Sequence, residues 1–328
     1  MMTALIHRRM FLVAVASTFA CATESGELPS GVPLASPHAV DDPPQFSDWS
    51  APVNLGPLAN STGADMNPTI SKTGFSLFFG SDRSGVFGIW VSQRAGVSES
   101  WGPARPTPVD RANQPTLSPD EHELFFNSAR PGGFGAQDLW VARRHDKRDD
   151  VGWQNAVNLG SDVNTAATEL GPGLWDDEAN GTALLYFTSN RNGGLGGNDI
   201  YVSTRRPDNS FGPAVLVEEL SSPFNDSEPA IRRDGLEIFL TSDRSGGADL
   251  WVATRSSVVD RWSTPVNLGP VVNSSFADGG AALSRDGTEL YFHSNANRPG
   301  NQGPCFGELG PCFFDIYVST RSKLRGSN

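Results

Sequence analysis

"LYFTSNRNGGLGGNDIYVSTR", residues 185–205, joins two apolar, β-prone ends through a glycine-rich loop. Close variants recur as "LFFGSDRSGVFGIWVSQR" (77–94), "LFFNSARPGGFGAQDLWVARR" (124–144), "IFLTSDRSGGADLWVATR" (238–255) and "LYFHSNANRPGNQGPCFGELGPCFFDIYVSTR" (290–321). Anchored on the serine after the aromatic run, at Ser81, Ser128, Ser189, Ser242 and Ser294, the copies stand 47, 61, 53 and 52 residues apart. That step exceeds a solenoid coil and suits a four-stranded unit.

The segments between anchors recur as well. An alternating leader ("NPTISKTG", "QPTLSPDE", "EPAIRRDG", "AALSRDG") turns at Asp-Gly or a relative of it and runs into the aromatic strand. After the glycine loop comes a strand such as "DLWVA" or "DIYVS", then an outer strand opened by Trp49, Trp101, Trp153, Phe211 or Trp262. A small sheet of this kind cannot bury both faces alone, and stacking its copies in a closed ring solves the problem. The ordered part begins with an outer strand at Trp49 and ends with an inner hairpin near Arg321, so the first segment can complete the last unit. An open array would leave unpaired strand edges. The sequence therefore predicts an all-β, five-bladed β-propeller over residues 46–322, closed by the N-terminal outer strand. Six blades is the alternative if a degenerate copy is present. The Trp and Phe openers are expected to lie between blades.

"LSPDEHELFF" (117–126), "LSRDGTELYF" (283–292) and "TSDRSGGADLWVATR" (241–255) resemble the Pro-Asp propeller repeats of the TolB family, relatives of the Trp-Asp repeats. The resemblance spans nearly the whole chain after the first 46 residues. No copy keeps the strict Ser-Pro-Asp-Gly, and "LWDDEANGTALLYF" (174–187) departs furthest. The resemblance implies a bacterial cell-envelope propeller. TolB's extra N-terminal domain has no room here, so its partners do not carry over.

Composition agrees with this fold. Hydrophobic residues make up 38% and charged residues 19%, and 35 glycines and 24 prolines serve short strands joined by tight turns. A net charge of −12 argues against nucleic acid or an anionic membrane surface as partner, since both call for clustered Lys and Arg. Residues 1–22 read as an export signal: His7, Arg8 and Arg9 precede the apolar run 10–16, and "RRMFL" has the twin-arginine pattern. The other reading is an ordinary signal. Cys21 is where a bacterial lipoprotein would carry its lipid, although Thr18 and Phe19 depart from the usual residues; the other reading is cleavage after Ala20 or Ala22 without lipid. Residues 23–45 read as a flexible linker and 323–328 as a tail. No later segment has the roughly 18–20 apolar residues that span a bilayer. Cys305 and Cys312 share one loop and are expected to pair, since export means oxidising conditions.

Repeat symmetry points to candidate sites. Five positions before the aliphatics Ile70, Leu117, Leu174, Ile231 and Leu283 stand Asp65, Ala112, Glu169, Asp226 and Asp278. Carboxylates converging on a central channel would make a negative well for Ca²⁺, another cation or a basic side chain, and Glu228, Asn67 and Gln114 could add oxygens. No other cofactor is implied. Against this stands an arginine column of Arg83, Arg130, Arg191 and Arg244, with Arg298 displaced by an insertion, which could pair with the acids from blade to blade. Asp138, Asp199, Asp249 and Asp315 precede the third strand and are expected to cap the glycine loops. His293 stands where other copies have Gly80, Asn127, Thr188 and Thr241, and is a candidate channel or rim group.

No Gly-x-Ser-x-Gly elbow or other familiar catalytic set is present. The leading expectation is accordingly a monomeric, exported, non-catalytic scaffold, periplasmic or tethered to the outer membrane, binding an envelope protein or glycan. The alternative is a carbohydrate-active enzyme, a glycoside hydrolase or lyase, using the channel carboxylates Asp65, Glu169, Asp226, Glu228 and Asp278. Two of them about 5–10 Å apart and free of arginine would favour it.

Overall fold

A computed structural model describes residues 44–177, 180–305 and 312–324. The export segment, Cys21 and most of the linker and tail lie outside the described residues. Within them every regular element is a β-strand.

β1 (Val53–Asn54) precedes four complete sheets. The first blade runs β2 (Asp65–Ile70), β3 (Ser76–Ser81), β4 (Gly88–Gln93) and β5 (Arg105–Asp110), and the second β6 (Asn113–Leu117), β7 (Glu123–Ser128), β8 (Asp138–Arg143) and β9 (Val157–Asn158). The third is β10 (Glu169–Asp177), β11 (Thr182–Ser189), β12 (Asp199–Thr204) and β13 (Val215–Leu216); the fourth is β14 (Asp226–Ile231), β15 (Glu237–Ser242), β16 (Asp249–Thr254) and β17 (Val266–Asn267). In the last blade β18 (Asp278–Leu283), β19 (Glu289–Ser294) and β20 (Asp315–Thr320) are completed by β1, in the order β1-β20-β19-β18. The innermost strands β2, β6, β10, β14 and β18 touch in cyclic order, β18 returning to β2. Five blades thus close a ring, as the repeat predicts, and the six-blade alternative falls.

Val53 pairs with Val318 and Asn54 with Tyr317. The seam continues outward: Ser50 N–H donates to the Thr320 carbonyl at 2.8 Å, and the Arg321 guanidinium covers Trp49 at 4.4 Å and Phe46 at 3.7 Å.

The core lies between blades. Phe78, Ile89 and Val91 of the first blade pack with Leu124, Phe126 and Trp140 of the second, and four similar clusters complete the ring. Outer-strand openers reach the preceding blade, where Trp153 meets Phe78 edge-on at 6.0 Å, Trp101 meets Tyr291 at 6.1 Å and Phe211 meets Phe125 at 6.0 Å. Each fully buried side chain of this size contributes about 1.5–3 kcal/mol of transfer free energy, which favours stacked blades over separate ones.

A second arginine column, unremarked in the sequence, ends the third strands. Arg94, Arg144, Arg205, Arg255 and Arg321 lie 4.6, 4.4, 5.8, 4.2 and 4.4 Å from the rings of Trp101, Trp153, Phe211, Trp262 and Trp49. Three of them also bridge to the preceding blade: Arg94 to Glu289 at 3.2 Å, Arg205 to Glu123 at 2.7 Å and Arg321 to Glu237 at 2.6 Å.

Candidate functional site

The acidic column does not form a well. Asp65, Glu169, Asp226 and Asp278 are each 0% exposed and turned into their own blade. Asp65 pairs with Arg83 at 2.5 Å, Glu169 with Arg191 at 3.2 Å, Asp226 with Arg244 at 2.9 Å and Asp278 with Arg298 at 3.2 Å. A carboxylate removed from water needs a counter-charge and donors, and arginine with nearby backbone and hydroxyl groups supplies them; Asp65 also accepts from Ser61 N and Oγ. The expectation that these four acids line the channel is corrected, and so is the expectation that their pairs run between blades. Arg298 keeps its place in the column despite the insertion. In the second blade Ala112 leaves Arg130 without an acid from that column, and the guanidinium caps the Asp110 carbonyl at 2.6 Å. Burial lowers the Arg130 pKa from its ordinary value.

Glu228 is different, and a backbone irregularity explains why. Pairing slips in all five inner strands, and the bulged residues Asn67, Gln114, Gly171, Glu228 and Gly280 have φ of 52, 52, 52, 55 and 62°. A bulge re-aims its side chain, and a left-handed conformation strains any residue but glycine by about 1–3 kcal/mol. Three of the five positions carry that strain, all polar, and all line a central cavity of about 160 Å³. The other two are glycines because space has run out. A Cβ on Gly280 would lie 2.4 Å from Asn67 Oδ1 and 2.5 Å from His293 Nδ1; one on Gly171 would lie 2.9 Å from Glu228 Cα.

The three side chains form a polar neck. Gln114 Nε2 donates to Glu228 Oε1 at 2.6 Å, linking the second blade to the fourth, and its Oε1 accepts from Gly171 N at 2.8 Å. Glu228 Oε2 accepts from the Thr241 hydroxyl and from Gly280 N, both at 2.8 Å. Asn67 Nδ2 donates to Asn113 Oδ1 at 3.3 Å, while Asn67 Oδ1 is buried with no hydrogen-bond partner. Below the neck, Ile70, Leu117, Leu174, Ile231 and Leu283 wall the cavity. Of the five candidate acids, Glu228 alone lines it.

His293 is neither rim nor open channel. It is 5% exposed, edge-on to Phe314 at 4.9 Å, and its Nδ1 accepts from the bulged Asn67 N–H at 3.2 Å. Thr188 and Thr241 serve the same column, accepting from the bulged N–H of Glu228 at 2.9 Å and of Gly280 at 3.1 Å. His293 thus replaces threonine as the acceptor. Burial, opposed by Glu228 and Asp278, lowers its pKa.

The third column caps loops. Asp138 accepts from Phe134 N and Gly135 N, Asp199 from Leu195 N and Gly196 N, Asp249 from the Ser245 and Asn267 side chains, and Asp315 from Asn54 Nδ2 and Gln302 N. Burial pushes the Asp315 carboxyl up to about 6. Cys305 and Cys312 are joined by a disulfide. Among the described residues no group of three or more His, Cys, Asp and Glu could hold a metal, and no helix is long and apolar enough to cross a membrane.

No family model matches the sequence, and no curated protein matches it. Solved structures do resemble the fold. A GH43_1 enzyme from Xanthomonas citri superposes with a TM-score of 0.58 at 12% identity, over 85% of this chain and 94% of that one. The α-L-arabinofuranosidase PaAbf62A from Podospora anserina, in complex with cellotriose, gives 0.56 at 12% identity, over 85% and 98%. A putative TolB from Agrobacterium tumefaciens gives 0.47 at 16% identity over 87% of each chain, too slight a likeness to build on. At such identities the likeness establishes the propeller fold, and no activity. It does overturn the step from this ring to a non-catalytic scaffold for an envelope protein or glycan. Rings of this shape are arabinofuranosidases, an endo-arabinase and other glycoside hydrolases in most of these neighbours, so the ring gives no ground for a scaffold.

Proposed function

We propose that this chain is a carbohydrate-active propeller whose proton-transfer group is Glu228. One observation carries the assignment: Glu228 is the candidate acid that faces the central cavity, on a strained bulge and oriented by three donors, while the other four are engaged with arginine. The glycoside hydrolases of similar fold supply the substrate class, a glycan, with arabinose-containing polymers the first to try. Two-carboxylate hydrolysis has lost its second member to the arginine pairs, so the chemistry rests on one carboxyl. In hydrolysis the carboxylate takes a proton from the water that adds and passes it to the departing glycosidic oxygen. In elimination across a uronate it takes the C5 proton as the C4–O bond breaks, and returns that proton to the leaving oxygen. Export of the chain, with or without lipid at Cys21, belongs to the same reading, because polymeric glycans lie outside the cytoplasm.

The test is a panel of arabinan, arabinoxylan, xylan and pectin, read for new reducing ends and for unsaturated uronate products. The expected result is cleavage of at least one polymer, reduced 10²-fold or more in Glu228→Gln, with the melting temperature preserved within a few degrees. No cleavage by the wild type, or equal cleavage by the variant, rejects the proposal.

A further inference from the structure

The channel has a second, chemically different end. Two positions after the aliphatic ring stand Lys72, Pro119, Asp176, Arg233 and Arg285, all but Asp176 just past the end of an inner strand. They rim a cavity of about 140 Å³ whose inner wall is the same ring of Ile70, Leu117, Leu174, Ile231 and Leu283. Lys72, Arg233 and Arg285 are exposed. Three cations at one mouth stand out in a chain of net charge −12. Glu121, also in the wall, is 7% exposed and accepts from the Lys72 backbone N–H. Among the described residues neither the Lys72 nor the Arg285 side chain takes an ion pair.

An apolar cup under a collar of three cations and one acid, Asp176, fits a ligand with an aliphatic tail and an anionic head. We propose that this mouth binds a small aliphatic carboxylate, its tail against the Ile/Leu ring and its head on Lys72 and Arg285. The planar guanidinium of Arg285 presents paired N–H donors that match a carboxylate's two oxygens, and Lys72 adds a point charge. Each methylene drawn into the cup tightens binding about fourfold at the usual transfer free energy of a CH₂ group. The site lies across the aliphatic ring from Glu228, so neither proposal depends on the other.

Calorimetric titration of the full chain with acetate, butyrate, hexanoate and decanoate tests this, with hexanol and hexylammonium as controls for the head group. Affinity is expected to climb about fourfold per methylene from butyrate to hexanoate and to level off by decanoate as the cup fills. The exposed pair K72Q/R285Q should weaken hexanoate at least tenfold with an unchanged melting curve, and Glu228→Gln should leave it unaltered. Absence of saturable hexanoate binding overturns the proposal. So does equal binding of hexanol or hexylammonium, or retention of full affinity by the double variant.

Discussion

Replacing Asp65 by Asn changes one oxygen for an amide and leaves the shape of the side chain intact. The carboxylate is 0% exposed, pairs with Arg83 at 2.5 Å and accepts from Ser61 N and Oγ at 2.6 and 2.8 Å. Asparagine can satisfy one of these donors while turning an NH₂ toward another, and Arg83, itself only 14% exposed, loses its counter-charge. Removing one partner of a buried pair costs about 3–5 kcal/mol. A domain of this size shifts by roughly 2 °C per kcal/mol, so the expected fall in melting temperature is about 6–10 °C. Adding Arg83→Met removes the stranded charge and keeps an apolar body on Phe79 and Trp90, which lie 5.2 and 5.0 Å from the guanidinium. The double variant should therefore melt above Asp65→Asn alone. The second blade is the internal control, because Arg130→Met strands no buried acid, Asp110 being exposed, and should cost less than Arg83→Met. Scanning calorimetry with urea titration gives all four numbers. A shift under about 2 °C for Asp65→Asn, or a double variant no better than the single, would refute the counter-charge argument.

Three further outcomes are expected. The His293 pKa is held below its ordinary 6.5. As pH falls below that value the unfolded chain takes up a proton that the native state resists, so stability is lost by up to about 1.4 kcal/mol per pH unit; His293→Gln should flatten this slope in urea unfolding between pH 7 and 5. Asp315 works in the opposite sense, since a native pKa of about 6 against 3.8 for the free group gives stability that is present below the lower value and lost as pH rises through the upper one. Asp315→Asn keeps an oxygen for Asn54 and Gln302 and places its NH₂ at the buried Oδ1, which has no partner; at pH 8 it should be more stable than wild type by as much as about 3 kcal/mol, and a less stable variant would count against it. Trp49→Ala removes the ring that sits edge-on to Phe239 at 6.2 Å and beneath Arg321; a loss of about 3 kcal/mol with visible light scattering is expected, whereas an unchanged melt would show that the seam does not depend on it.

The wheel and its seam were legible because hairpins repeat and because Trp49 and Arg321 mark unmatched halves of one sheet. The direction of the acids was not. Counting from the aliphatic ring assigns every column a number, yet a slip in pairing between Met66 and Thr69, and its four counterparts, separates the column at Asp65 from that at Asn67. One faces an arginine in the turn of its own blade, the other the cavity. A trace of this was present in the sequence: Asn67, Gln114, Gly171 and Glu228 each precede a proline, and a proline within a strand is confined to edges and bulges. The terminal arginine of each quoted repeat was equally visible, but its stacking on the next Trp or Phe needs the path of the outer strand. The role of His293 needs the neighbouring blade, which no single repeat contains.

Because Asn54 pairs with Tyr317 of the last blade, synthesis leaves the ring with an open flank until the hairpin of β19 and β20 emerges. Long-range closure of this kind is slow, and a product cut short before residue 315 would have no strand for its beginning to meet. The first and last strands of the ring thereby act as a proofreading joint: only a chain that has reached β20 can shut.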